Sequence, residues 1–288
     1  MYYIGDAFLE TVLKEDAPYG DLTTDLLGIE DAPGSITCWP KADTVICGAE
    51  LAARLFEKVG LEAERSARDG QRLAARTPFL RARGTAGAIH AVYKTAQNIM
   101  EYCSGIATRT AEMKSAAQAV NPNCRIVVTR KHFPGTKTLA LYAAHVGGAV
   151  AHRTGLSESV LVFDQHRTFC SEDFLERLLR MRRLDPERKI AVEAADAAEA
   201  IAFARVGADI IQCEKMPPGL FAETCARIKS ECPHALVSAA GGVRADNAAQ
   251  YAGAGADFLV TTWPYFGRPA DIKMHIEGEP ARKADGGL

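Results

Sequence analysis

Two short segments of the sequence concentrate basic side chains. The β-branched run Ile126–Thr129 indicates a buried strand, and it ends directly in Arg130 and Lys131. An apolar core does not accept such fixed cations unpaired. His152 and Arg153 follow on a second loop. The four nitrogen-bearing groups suggest a pocket for a highly anionic small molecule, and a solvated basic loop is the alternative.

Two carboxylates stand at comparable places, because Glu193 and Glu214 each follow a short apolar run. Paired carboxylates can act as acid and base, or they can hold Mg²⁺ shared with the phosphates and hydroxyls of a substrate. Arg130 and Lys131 favour the magnesium role. Ion pairing of the two acids with Lys131 and Lys215 is the structural alternative.

A third group of residues suits phosphate. Gly241 and Gly242 precede a predicted helix that begins near Asp246. Without side chains, backbone N–H groups can approach an anion at a helix N-terminus. Thr261 ends the following predicted strand and adds a hydroxyl to the predicted phosphate site.

Regular alternation of strands and helices from Arg125 onward would position all these groups. A parallel sheet covered by helices is expected from such a pattern. No Gly-x-Gly-x-x-Gly motif follows a strand, which argues against a dinucleotide fold. We therefore predict an open six-stranded α/β barrel, whose active site lies at the carboxyl ends of the strands. The predicted strands are Arg125–Thr129, Val160–Phe163, Lys189–Glu193, Asp209–Cys213, Leu236–Ala240 and Phe258–Thr261. The predicted helices are Leu139–Val150, Glu172–Arg182, Asp196–Val206, Pro218–Ser230 and Asp246–Ala254.

The first third of the chain mixes strands and helices. Its clearest element is a helix over Ala86–Cys103 with one apolar stripe, which leaves Lys94 off the stripe. Ser104–Gly105 is predicted to end this helix, and a second helix is predicted from Thr108 to Val120. The resulting division is a small N-terminal α+β domain over 1–108, a barrel domain over 109–269, and a tail over 270–288 that packs back on the first domain.

Composition narrows the class of protein. The 288 residues are 48% hydrophobic and 24% charged, with a net charge of −2, so no global basic field attracts nucleic acid. No apolar stretch approaches the ~20 residues that a membrane helix needs. No basic region precedes an apolar one at the N-terminus, and the eight cysteines form no Cys-x-x-Cys pair. We expect a cytoplasmic protein with reduced thiols that binds neither nucleic acid nor membrane.

The order of several motifs resembles the quinolinate phosphoribosyltransferase (nicotinate-nucleotide pyrophosphorylase) family over about residues 15–266. Three further segments are similar to its ModD branch, which is named for molybdenum-transport operons. The family motifs are Glu15-Asp16 with Gly20-Asp21-Leu22-Thr23-Thr24, Asn98 with Ser104-Gly105, Thr129-Arg130-Lys131, His152-Arg153, Val192-Glu193 and Gly241-Gly242-Val243. The branch motifs are Lys94-Thr95-Ala96-Gln97-Asn98, Arg130 to Lys137, and Leu161-Val162-Phe163 with Gln165-His166.

The resemblance implies transfer of a phosphoribosyl group from 5-phosphoribosyl 1-pyrophosphate to a small aromatic acid, with Mg²⁺. It assigns acceptor binding to Arg130, His152 and Arg153, and to a cation at position 94 that reaches in from the partner subunit of a homodimer. It assigns the donor and its Mg²⁺ to Lys131, Glu193 and Glu214, and the 5-phosphate to Gly241 and Gly242.

The residues at positions that bind the acceptor in the family depart from the family pattern. Lys94 replaces an arginine, Phe163 replaces a lysine that would face the acceptor, and Ser238 replaces a glutamate. At the end of the fourth barrel strand, Glu214 and Lys215 replace Asp and Asn. A changed aromatic acceptor is therefore expected.

Other functions stay open at this stage. One is the conventional carboxylating enzyme that acts on quinolinate in NAD biosynthesis. Another is a non-catalytic module that binds phosphate ligands. A third is a barrel lyase or aldolase that uses Lys131 or Lys215 as a Schiff-base nucleophile.

Overall fold

A computed structural model of the chain describes residues 2–170 and 174–279. The strands are β1 (Pro33–Pro40), β2 (Thr44–Val45), β3 (Glu62–Arg65), β4 (Arg72–Leu73), β5 (Leu80–Thr85), β6 (Arg125–Val128), β7 (Val150–Ala151), β8 (Val160–Val162), β9 (Ile190–Ala194), β10 (Ile210–Glu214), β11 (Leu236–Ala240), β12 (Phe258–Thr261) and β13 (Ile272–Gly278). The helices are α1 (Asp6–Asp16), α2 (Leu22–Leu27), α3 (Ala49–Lys58), α4 (Ala86–Gln118), α5 (Lys137–Val146), α6 (Asp164–Arg167), α7 (Phe174–Leu184), α8 (Ala197–Arg205), α9 (Pro218–Glu231) and α10 (Ala245–Gly253), with a 3₁₀ turn at Trp263–Phe266.

The chain divides into two compact units. The first contains the described parts of Met1–Thr108, Thr138–Gly147 and Gly267–Leu288, and the second contains those of Arg109–Lys137 and Gly148–Phe266. The two-unit division assigns most of α5 to the first unit, although the sequence-based division placed it in the barrel domain. Within that unit the Tyr142 hydroxyl donates to Asp69 Oδ2 at 2.5 Å, a contact that spacing along the chain does not reveal.

The first unit contains an antiparallel sheet of four strands in the order β13-β1-β5-β3. Buried Ile36 and Cys38 alternate with more exposed neighbours along β1, as expected for a sheet with one face in a core. Strand β13 pairs with β1 from Gly34 opposite Gly278 to Pro40 opposite Ile272. The rest of the predicted tail, residues 280–288, lies outside the described residues.

Helix α4 runs unbroken from Ala86 to Gln118, so the predicted end at Ser104–Gly105 is wrong. The Ser104 hydroxyl is buried and bonds both the N–H and the carbonyl of Cys47. A Cβ on Gly105 would lie 3.0 Å from the Ala270 backbone nitrogen. Small residues here admit close packing and do not terminate the helix. The predicted apolar stripe is confirmed, because Ile89, Val92, Ala96, Ile99 and Cys103 are all buried.

The second unit contains a parallel sheet in the order β7-β6-β12-β11-β10-β9-β8, and helices follow β6, β8, β9, β10 and β11 along the chain. This confirms the α/β class and the open barrel, since β7 and β8 end the sheet without pairing in the part of the chain described. The sheet has seven strands where six were predicted. Val150 was predicted to end a helix, but α5 stops at Val146 and the chain returns to pair Val127 with Val150.

Over residues 2–170 and 174–279, no helix is both long enough and apolar enough to cross a membrane.

Candidate active site

The carboxyl ends of the strands in the second unit surround a cavity of about 830 Å³. The cavity brings together most of the side chains that the sequence marked for chemistry. They are Arg130, Lys131, His152, Arg153, Phe163, Glu193, Glu214, Gly241, Gly242 and Thr261.

The basic end of the cavity begins where β6 stops. Thr129 fixes this end, because its N–H donates to the Thr261 carbonyl at 3.0 Å and its hydroxyl lies 2.8 Å from that of Thr262. The Lys131 N–H in turn donates to the Thr129 hydroxyl at 3.2 Å. Arg130 and Lys131 then extend as exposed cations at the wall of the cavity.

The loop after β7 carries His152 and Arg153. Glu158 organises it by accepting from the Gly155 N–H at 2.8 Å and from the Thr154 hydroxyl at 3.0 Å. The Gly155 bond, foremost, and those from Thr154 lower the pKa of Glu158 to about 2. The loop is therefore held by an ionised carboxylate at any physiological pH.

His152 and Arg153 differ in charge. Burial and, to a lesser degree, the neighbouring guanidinium of Arg153 lower the pKa of His152, so the imidazole is neutral near pH 7. The Arg153 Cζ lies 5.9 Å from the ring centroid of Phe163. This distance is within the range of a cation–π contact. This part of the cavity wall therefore combines one cation, one neutral imidazole and one aromatic face.

The acidic part of the cavity lies on β9 and β10. Gln212 is in register with Glu193 on the neighbouring strand, and Glu214 follows Gln212 by two residues on the same face of β10. The Gln212 amide donates from Nε2 to Glu193 Oε2 at 2.9 Å. Burial, followed by the charge of Glu214, raises the pKa of Glu193, while Gln212 and Lys131 oppose this. Two carboxylates thus share a partly desolvated place where a cation would stabilise both.

The glycine loop after β11 has a left-handed backbone, with φ of 80° at Gly241 and 79° at Gly242. A Cβ on Gly241 would lie 2.5 Å from Lys215 Cγ and 2.6 Å from Glu214 Oε1. Only glycine fits this approach. Thr261 was expected to bind phosphate, but its hydroxyl donates to the Val243 carbonyl at 2.6 Å and accepts from the Trp263 N–H. The Thr261 hydroxyl therefore stabilises the loop, and its hydrogen bonds are not directed at an anion.

The donor set fits magnesium shared with a substrate. Glu193 and Glu214 supply carboxylate oxygens, and Gln212 Oε1 is a buried amide oxygen without a hydrogen-bond partner among the described residues. Mg²⁺ prefers oxygen ligands and usually keeps several waters beside one or two carboxylates and substrate phosphates. No group of three or more His, Cys, Asp or Glu suited to a metal occurs over residues 2–170 and 174–279.

Lys94 belongs to the first unit, where it lies exposed on α4. Its ammonium donates to Gln97 Oε1 at 3.0 Å and lies 4.9 Å from the ring centroid of Tyr93.

Sequence reasoning missed Gln212 as a site residue. Its signal was present, because alternation along a strand places residues two apart on the same face, and Glu214 was already assigned inward. Lys215 was noted as a departure, as a possible ion-pair partner of the two acids and as a possible nucleophile, and it also lines the cavity. Other lining residues without earlier assignment are Leu161, Gln165, Arg244, Trp263 and Phe266.

Comparison with known proteins gives a consistent picture. A family model described as quinolinate phosphoribosyl transferase, N-terminal domain, matches residues 21–104. The model of the C-terminal domain of the same family matches residues 106–275. These matches confirm the resemblance that the motifs carry.

Individual relatives cover nearly the whole chain. ModD of Rhodobacter capsulatus, provisionally named a pyrophosphorylase, is 42% identical over 250 residues, which are 86% of this chain and 96% of that protein. ModD of Pasteurella multocida is 35% identical over 279 residues, 96% of this chain and 99% of that protein. The crystal structure of nicotinate-nucleotide pyrophosphorylase from Ehrlichia chaffeensis superposes with a TM-score of 0.88 at 21% identity, covering 96% of this chain and 100% of that one. At that identity the likeness supports the shared fold alone.

Proposed function

Because the chain belongs to the quinolinate phosphoribosyltransferase family, we propose that it transfers a phosphoribosyl group from 5-phosphoribosyl 1-pyrophosphate to an aromatic acid. The observation that carries the proposal is the single cavity wall that joins Lys131, Glu193, Glu214 and the Gly241–Gly242 loop. Cations, paired carboxylates and a glycine loop are the groups that a phosphorylated sugar with a diphosphate leaving group requires.

In the proposed reaction a nucleophilic atom of the acceptor attacks C1 of the ribose, and the bond from C1 to the pyrophosphate oxygen breaks. Positive charge develops on the ribose, and Glu193 and Glu214 stabilise it electrostatically. Lys131 stabilises the negative charge of the departing pyrophosphate.

Glu193 and Glu214 would hold Mg²⁺. The ion would neutralise charge on the donor's pyrophosphate. Protonation of Glu193 removes one ligand charge, and its raised pKa brings that protonation closer to neutral pH. Magnesium-dependent binding should therefore weaken as the solution becomes acidic.

The acceptor is proposed to be an aromatic acid with fewer carboxylates or a larger apolar face than quinolinate. Arg153 supplies a cation for one carboxylate, and Phe163 offers an apolar ring beside it. A second carboxylate against Phe163 would be desolvated without a partner. Conversion of quinolinate itself is the alternative, and Phe163 argues against it.

A homodimer and a cytoplasmic location complete the proposal. The dimer rests on Lys94, whose counterpart in the family acts at the active site of the partner subunit. Lys94→Ala and Arg130→Ala should each abolish turnover, and mixing the two after subunit exchange should restore part of it. Lys94→Arg, which keeps the cation, is the matched control for Lys94→Ala and should retain turnover. A strictly monomeric protein in dilute-solution scattering, or a mixture without recovery, would count against the dimer.

Pyrophosphate release tests the proposed function. The protein is incubated with Mg²⁺, the donor and a panel of aromatic acids, including nicotinate and quinolinate. Release that depends on one acceptor and disappears in Glu214→Gln supports phosphoribosyl transfer. Absence of release across the panel would favour a non-catalytic phosphate-binding module.

A further inference from the structure

Lys215 has a backbone conformation that lysine rarely adopts. Among the described residues other than glycine, only Arg76 and Lys215 have positive φ, with values of 65° and 53°. A side chain with a Cβ is unfavourable in this left-handed region, and Asn tolerates it better than Lys does. Such outliers collect at ligand sites, where surrounding structure maintains them. Here the Lys215 N–H donates to the Ala240 carbonyl at 2.7 Å, which ties the left-handed residue to the end of β11.

The conformation carries the lysine side chain over the glycine loop. The 2.5 Å separation between Lys215 Cγ and a Cβ built on Gly241 shows that the methylene chain of Lys215 lies against the Gly241 backbone. Lys215 is exposed at the cavity wall and forms no ion pair with a carboxylate among the described residues. A cation without an ion pair among the described residues thus lies beside the Gly241–Gly242 loop, which precedes α10.

The position within the sheet separates this cation from the basic end of the cavity. Lys215 and Gly241 follow β10 and β11, which are neighbours, whereas Arg130 and Lys131 follow β6, beyond β12. A donor with a phosphate at one end of its ribose and a diphosphate at the other needs cations at two places. The diphosphate fits Lys131 and the Mg²⁺ that Glu193 and Glu214 would hold, and the phosphate monoester fits the Gly241–Gly242 loop beneath Lys215.

We propose that Lys215 binds the 5-phosphate of the donor together with the Gly241–Gly242 loop, as a specificity-determining residue of the phosphoribosyl transfer proposed above. The ammonium donates to phosphate oxygens in a charge-assisted hydrogen bond. The same side chain closes over Gly241 and so shapes the loop that receives the anion.

Calorimetric titration of Lys215→Asn tests this role. Asparagine removes the charge and accepts the left-handed backbone, so the fold is retained. The probes are ribose 5-phosphate, which has only the monoester, and pyrophosphate with Mg²⁺, which has only the diphosphate. We expect affinity for ribose 5-phosphate to fall about tenfold or more, the size of a charged hydrogen bond, with little change for pyrophosphate. Lys215→Arg keeps the charge and should retain most of the affinity.

The other outcomes distinguish the proposed role of Lys215 from the proposed transfer reaction. Unchanged binding of ribose 5-phosphate in Lys215→Asn, or a greater loss for pyrophosphate, overturns the role of Lys215 and leaves the transfer reaction intact. A lysine-dependent site for ribose 5-phosphate without pyrophosphate release from any acceptor overturns the reaction and supports the phosphate site. A wild-type protein that does not bind ribose 5-phosphate overturns the role of Lys215, and pyrophosphate release then decides the transfer reaction separately.

Discussion

The amide of Gln212 holds one carboxylate oxygen of Glu193, with 2.9 Å between Nε2 and Oε2. The carboxylate fixes the orientation of the amide, because an ionised glutamate can only accept hydrogen bonds. Gln212 Oε1 is consequently left as a buried acceptor without a partner among the described residues. Gln212, which is uncharged, thus lowers the pKa of Glu193, a proposed magnesium ligand.

Replacing Gln212 should alter the titration of Glu193. The hydrogen bond from Gln212 lowers the pKa of Glu193, so Gln212→Leu should raise it further. The acidic limit of magnesium-dependent donor binding should then move to higher pH, as measured by calorimetry across a pH series. Ser238→Ala, at the adjacent register position on β11, removes a hydroxyl bonded elsewhere and should leave that limit in place. Equal shifts in both variants would assign the effect to general packing.

Glu193→Gln should have opposite effects on the stability of the fold and on magnesium-dependent binding of the donor. Because its pKa is raised in the folded state, ionisation of Glu193 disfavours folding, and this cost develops as pH rises from the ordinary glutamate pKa through the raised value. Glu193→Gln should therefore be at least as stable as wild type at pH 7 and lose that advantage in acid. Thermal unfolding at several pH values measures this.

The same substitution should weaken magnesium-dependent donor binding, and so should Glu214→Gln. A lost ligand charge should cost about tenfold or more in affinity, on the order of a charged hydrogen bond. Donor affinity that is unchanged in both variants would remove the metal assignment.

The glycine loop offers a matched pair of substitutions. Gly241→Ala and Gly242→Ala impose a similar left-handed strain, about 1–2 kcal/mol each. A Cβ meets nothing within 4 Å at Gly242, whereas at Gly241 it would clash with Lys215 and Glu214. Gly241→Ala should cost a further ~1–3 kcal/mol, the usual range for overpacking. Denaturant unfolding of the two variants gives the difference, and equal losses would show that Lys215 does not pack on the loop.

Much of the fold follows from local pattern. Each main strand of the barrel is a short apolar run between turn residues, so its position can be read from the sequence. Val150–Ala151 could not be read in this way, because a two-residue edge strand has no periodicity and is defined only by pairing with β6. The sequence also could not predict that α4 continues through Gly105, because Gly105 packs against residues 268–270, which are distant along the chain.

The sequence predicted those site residues that stand at the ends of strands. Parallel strands bring their carboxyl ends together, which places Arg130, Glu193, Glu214 and Gly241 in one cavity. The positive φ of Lys215 was not expected of a lysine, and the bond from its N–H to the Ala240 carbonyl joins strands that are distant in the sequence.

Phe163 should control which acceptor is used. A lysine there would add a charge-assisted hydrogen bond of about 1.5–3 kcal/mol to a carboxylate. Phenylalanine instead offers ring stacking of about 0.5–1.5 kcal/mol. Discrimination against a dicarboxylate should thus exceed roughly tenfold, and Phe163→Lys should shift preference toward quinolinate. The gain should be partial, because Arg153 lies beside the new charge.

Turnover of quinolinate and nicotinate by wild type and Phe163→Lys, at one donor concentration, measures this preference. Phe163→Leu is the control that removes the ring without adding a charge. Brisk turnover of quinolinate by wild type, unchanged or lowered by the lysine, would sink the hypothesis.

The product formed from 5-phosphoribosyl 1-pyrophosphate, Mg²⁺ and an aromatic acid tests the central claim most directly, and mass spectrometry identifies it. We predict a mononucleotide in which the acceptor carries the phosphoribosyl group, formed in equal amount with pyrophosphate and absent in Glu214→Gln. Pyrophosphate accompanied by free ribose 5-phosphate, without a nucleotide for any acceptor, would contradict phosphoribosyl transfer by this chain.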